Sequence, residues 1–105
     1  MNNRKRKKLE DLKSQLEAIM NRLEKLKDDA EEVMDEIEYI KNQEELFIER
    51  EVISAFRVEE EETSQEAIIS MESAIEGVES IIDSIDEAMD EFDDVFENID
   101  VAILA

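Results

Sequence analysis

The chain has no cysteine, histidine, proline or tryptophan, and one glycine, Gly77, in 105 residues. Each absence removes a class of structure or chemistry. Without Cys there are no disulfides, no thiolate nucleophile and none of the usual zinc frameworks, and nothing points to an oxidising compartment. Without His the commonest general base and a principal transition-metal ligand are also missing. With no Pro and a single Gly, tight turns are scarce, and helix formers such as Glu, Lys, Leu, Ala and Met fill the chain. No apolar run approaches the roughly 18 residues that read as a membrane span. The basic start from Arg4 to Lys8 leads into charged sequence rather than a signal-peptide core. The expectation is a soluble, unprocessed, cytoplasmic, all-α protein of one domain, with no catalytic residues, no cofactor and no metal.

Negative charge is abundant and unevenly placed. The 12 basic residues all lie at or before Arg57, alongside 15 acids, for a net of −3; residues 58–105 hold 17 acids and no base, for −17. Phosphate binding needs clustered Lys and Arg, so nucleic acid is excluded as a direct partner and a basic protein surface is favoured.

Apolar residues in the first half alternate three and four apart: Leu9, Leu12, Leu16, Ile19, Leu23, Leu26, Ala30, Val33, Ile37 and Ile40. This is a heptad seam with Leu9, Leu16, Leu23, Ala30 and Ile37 at a and their partners at d. The b column (Glu10, Glu17, Glu24, Glu31, Glu38) and the f column (Ser14, Asn21, Asp28, Asp35, Asn42) are expected to face water, while the e column alternates Lys13, Met20, Lys27, Met34, Lys41. A second seam runs through Ile68, Met71, Ile75, Val78, Ile82, Ile85, Met89, Phe92, Phe96, Ile99 and Ile103. Its g column is also apolar (Ala67, Ala74, Ile81, Ala88, Val95, Ala102), the wide face of a bundle helix. Its e column is wholly acidic: Glu72, Glu79, Asp86, Asp93, Asp100.

Between the seams the phase is lost over Glu44 to Val58, and an all-acid run, Glu59 to Glu62, precedes Thr63 and Glu66, which are spaced as a capping box. These signals predict helix 1 over about 3–58, a turn over about 59–63 and helix 2 over about 64–104. A short connection makes the helices antiparallel, so the two e columns adjoin. Lys13, Lys27 and Lys41 should then border Asp100, Asp93 and Glu79 or their neighbours, and with the turn centred on Glu61, Ala30 should fall near Phe92. Helices of about 80 and 60 Å at roughly 1.5 Å per residue imply a rod.

Two helices cannot cover all this apolar surface, and leftover surface of this kind marks an interface. The reading is a homodimer that forms a four-helix bundle, with Met20, Met34, Phe47, Phe56, Ile81, Phe92, Val95, Phe96 and Ile103 at the oligomer interface. The apolar end, Val101 to Ala105, suits burial there or docking to another protein. Tyr39 and Ile69 fall on outer columns.

The remaining chemistry is that of carboxylates. Helical pairs such as Glu32 with Asp35 and Glu87 with Asp90 have the spacing to hold magnesium, but they fall mostly on outer columns and read as solvated faces. The glycine turn of an EF-hand is absent around them. The sharper feature is density. Over residues 58–105 there is about one uncompensated charge per 4 Å of helix, close to the roughly 3.4 Å spacing along a DNA strand. Glu72, Glu79, Asp83, Asp86, Asp90, Asp93, Asp94 and Glu97 are therefore the candidate partner-binding acidic face, with steering to speed association. The plain alternative is an acidic coiled coil that is merely soluble.

The helix opening Asn3-Arg4-Lys5-Arg6-Lys7-Lys8-Leu9, with Gln65-Glu66-Ala67-Ile68, Met71-Glu72-Ser73-Ala74-Ile75 and Ile85-Asp86-Glu87-Ala88, resembles small acidic helical proteins encoded by phages and prophages of Gram-positive bacteria. The likeness spans most of the chain, and Glu44 to Val58 departs from it. It implies a phage accessory protein in a bacterial cytoplasm: an inhibitor of a host defence or DNA-binding protein, of anti-CRISPR or anti-restriction type, or else a structural or regulatory adaptor. No functional residue transfers from that group.

Overall fold

The computed structural model describes residues 1–51 and 58–105, with side chains over 1–50 and 62–105. It contains two long helices, α1 (Asn3–Glu51, 49 residues) and α2 (Val58–Leu104, 47 residues). No strand is present among the described residues. Asn2 caps α1: its Oδ1 accepts from the Lys5 amide at 2.9 Å, satisfying one of the first-turn donors that a helix leaves open.

The start of α2 differs from the expected one. Residues 59–63, expected as the turn, are helical. The physical reason lies in the acids themselves: Glu is a good helix former, and negative charge at a helix N-terminus is favoured by the macrodipole. The all-acid run is therefore a helix start. Residues 52–57, including Phe56, lie outside the described residues, while residues 44–51 of the irregular stretch are helical.

The helices form two compact units. The first holds Met1–Asp28 and Ile82–Ala105, the second Asp29–Ile81. In the first unit the strands of helix run antiparallel. Lys13 Nζ lies 2.7 Å from Asp100 Oδ1, and Lys27 Nζ lies 2.7 Å from Asp86 Oδ1. The residue numbers of both pairs add to 113. A turn centred on Glu61 requires 122, so the expected register is corrected by nine residues on α2. Lys13 meets Asp100 as expected, but Lys27 meets Asp86 and not Asp93. Phe92 stands level with residue 21 rather than with Ala30.

The α2 seam follows its expected columns. In the first unit Ile82 is buried, and Ile85, Met89, Phe92, Phe96, Ile99 and Ile103 are half-buried. In the second, Ile75 is buried, Ile68, Met71 and Val78 are half-buried, and Ser64, also buried, extends the seam one turn towards the N-terminus. Ile75 and Ile82 are the whole buried apolar set among the described residues. Two helices enclose only a line of side chains, so few are covered on all sides.

The α1 seam lies on different columns from those expected. Most of the half-buried residues fall on two columns: Arg6, Leu9, Lys13, Leu16, Met20, Leu23 and Lys27 in the first unit, and Ala30, Met34, Ile37, Lys41, Glu44 and Ile48 in the second. These are the a and e columns. The d column, Leu12, Ile19 and Leu26 in the first unit and Val33 and Ile40 in the second, is 38–56% exposed. The acidic e column of α2 explains the rotation. Turning the α1 e column inward brings Lys13 and Lys27 against it, while their methylene stems cover apolar surface and their ammonium groups stay wet. The same rotation draws Glu31 and Glu38 of the b column, expected in water, and Glu45 one heptad on, into half-buried positions, while Glu10, Glu17, Glu24 and the f column remain exposed.

Candidate protein-binding surfaces

Helix geometry assigns a flank to each column. At about 100° per residue, the α1 d column lies about 80° to one side of its seam and b about 80° to the other. On α2, g lies about 90° to one side and e about 70° to the other. Antiparallel pairing reverses the sense of rotation between the helices. In the first unit, then, α1 d and α2 g share one flank, and α1 b and α2 e share the opposite one. One flank is apolar: Leu12, Ile19 and Leu26 beside Ala88, Val95 and Ala102. The other is acidic: Glu10, Glu17 and Glu24 beside Asp86, Asp93 and Asp100.

On the acidic side, Asp83, Asp90, Asp93, Asp94 and Glu97 are exposed in the first unit, and Glu72 and Glu79 in the second. Asp86 is half-buried and committed to Lys27. Lys13 donates from Nζ to Asp100 at 2.7 Å and lies 5.9 Å from the Phe96 ring centre, a cation–π distance. The hydrogen bond to Asp100, helped by the charges of Asp100 and Glu17, raises its pKa above the ordinary 10.5, while desolvation pulls the other way. In the second unit Lys41, expected against Glu79, has Glu45 of its own helix at 4.0 Å. The α1 b column was not foreseen as part of an acidic surface. The signal was the Lys and Met alternation at e, which makes that column a competing seam.

The expected interface residues divide between seam and surface. Met20, Phe92, Phe96 and Ile103 in the first unit and Met34 in the second lie on seam columns and are half-buried; Phe92 and Phe96 pack ring to ring at 5.8 Å. Val95 in the first unit and Phe47 and Ile81 in the second are exposed. Tyr39 and Ile69 are exposed, and Tyr39 Oη accepts from Gln43 Nε2 at 2.6 Å. At the end of α2, Val101 and Leu104 are exposed, Leu104 at 85%.

Among the described residues, no group of three or more acidic side chains is placed to hold a metal, and no helix is long and apolar enough to cross a membrane. The chain matches no family model, no curated protein and no solved structure.

Proposed function

We propose that the chain is a non-catalytic binding protein that presents acidic helix to a basic protein surface, as a mimic of nucleic acid. The observation that carries this is the exposure of Asp83, Asp90, Asp93, Asp94 and Glu97 on a helix without a single base. Such a surface offers the charge spacing of a strand while carrying no base edges to read. Nucleic-acid-binding proteins of a bacterial host, including those of its defence systems, fit as partners, in keeping with the resemblance to phage accessory proteins. In this reading the protein acts in the host cytoplasm. The apolar flank serves self-association, and two copies make a four-helix bundle.

The test is capture of host proteins on the immobilised chain, followed by competition. A mimic releases its partner to excess duplex DNA and at about 1 M salt, where the screening length falls to about 3 Å. Reversing Glu79, Asp90 and Asp93 to Lys should abolish capture; Asp86 is spared because it holds Lys27. A second reading, an adaptor coiled coil, is favoured by the exposed Val101 and Leu104 at the end of α2. An adaptor keeps its partner in high salt and in the reversed variant, and loses it on Leu104→Glu.

A further inference from the structure

We infer that the second copy docks on the apolar flank with α1 of each chain lying antiparallel on α2 of the other, about a two-fold axis parallel to the helices. This arrangement concerns the first unit alone and rests on the self-association proposed above.

A dyad in that direction leaves height along the helices unchanged, so the register inside one chain dictates the register between chains. Residues whose numbers add to 113 stand level within the unit, and must stand level across the dyad too. Size is the first check. Leu12, Ile19 and Leu26 then fall at residues 101, 94 and 87, each beside a g position, Ala102, Val95 and Ala88. Every large side chain meets a smaller one, as close packing of facing helices requires. The other face-to-face dyad, perpendicular to the helices, sets α1 on α1 and α2 on α2. It would set the Leu and Ile side chains of α1 against one another on one side and the smaller Ala and Val side chains of α2 against one another on the other, a poorer match of size than large on small.

Charge is the second check, and it is independent of the first. The column bordering d on the outer edge of α1 is g, and the column bordering g on the outer edge of α2 is c. In the inferred dimer these two edges adjoin. Arg22 falls level with Glu91, cation to anion, and Gln15 falls level with Asn98, amide to amide. All four side chains are exposed. Within one chain Arg22 and Glu91 sit on opposite outer edges of the unit, so a coupling between them reports on a second copy.

The chain's lack of cysteine makes the test clean. Leu26→Cys and Ala88→Cys chains, mixed and oxidised, should form a disulfide-linked dimer, whereas neither alone should. Arg22→Glu and Glu91→Arg should each weaken the dimer roughly tenfold in sedimentation, since each dimer holds two such contacts, and the double variant should recover. A chain that sediments as a monomer at every concentration overturns both this arrangement and self-association. A dimer in which Leu26→Cys cross-links to itself, or in which the charge swap fails to recover, overturns the arrangement and leaves self-association standing.

Discussion

Two substitutions in the first unit decide which columns of α1 face α2. Ile82, 8% exposed, belongs to the seam, and Leu26, 55% exposed, belongs to the flank. Either change to Ala removes three carbons, worth about 2.4 kcal/mol when fully buried at about 0.8 kcal/mol per methylene. For Ile82 nearly all of this is lost and a cavity term is added, while Ala regains a few tenths in helix propensity over a β-branched residue. The expected cost is about 2–3 kcal/mol. For Leu26 the hidden fraction is a little under half, so the loss is about 1 kcal/mol, reduced slightly by propensity. Urea unfolding followed by circular dichroism, at a dilution where sedimentation shows single chains, gives both numbers. If Leu26→Ala costs as much as Ile82→Ala in the single chain, column d faces α2 and the a/e seam is wrong. At higher concentration the cost of Leu26→Ala should grow, because the second copy then covers that side chain.

Two further outcomes follow from particular side chains. The pKa of Lys13 is raised in the folded state, so its contribution is fully present below the unfolded value near 10.5 and is lost as pH rises through the folded one. The melting-temperature gap between the natural chain and Lys13→Met should therefore be largest at neutral pH and close under strongly alkaline conditions; a gap independent of pH contradicts the pairing with Asp100. Gly77 lies within α2 without positive φ, and a Cβ there would meet nothing within 4 Å. Gly77→Ala should stabilise by about 0.5–1 kcal/mol in urea unfolding, through helix entropy alone.

The helical class and the α2 seam were legible in the sequence because apolar residues there fall on three adjacent columns flanked by acids, leaving one choice of inner face. On α1 the choice was not local. Leu12, Ile19 and Leu26 make d as apolar as any seam, and Lys13 and Lys27 disqualify e to a reader who treats charge as surface. What selects e is the acid column of the other helix, which no window along α1 contains. The helix start at Val58 was missed for a related reason: four acids in a row look like a loop by polarity and a helix opening by dipole. The acidic surface was half visible, since the α2 acids declare themselves by composition while Glu10, Glu17 and Glu24 join them only once the seam is turned.

The ion pairs of the first unit have a consequence for how the chain finds its alignment. The α2 acids recur every seven residues, so a hairpin collapsed one heptad out of place sets Lys13 against Asp93 and Lys27 against Glu79, keeping both attractions. Electrostatics therefore draws the helices together without choosing among evenly spaced alignments. The choice falls to the non-repeating side chains, Phe92 and Phe96 above all, whose bulk has no counterpart one heptad earlier, where Ile85 and Met89 stand. A chain one heptad out of place keeps its ion pairs and loses only the fit of these rings, so shape rather than charge sets the alignment.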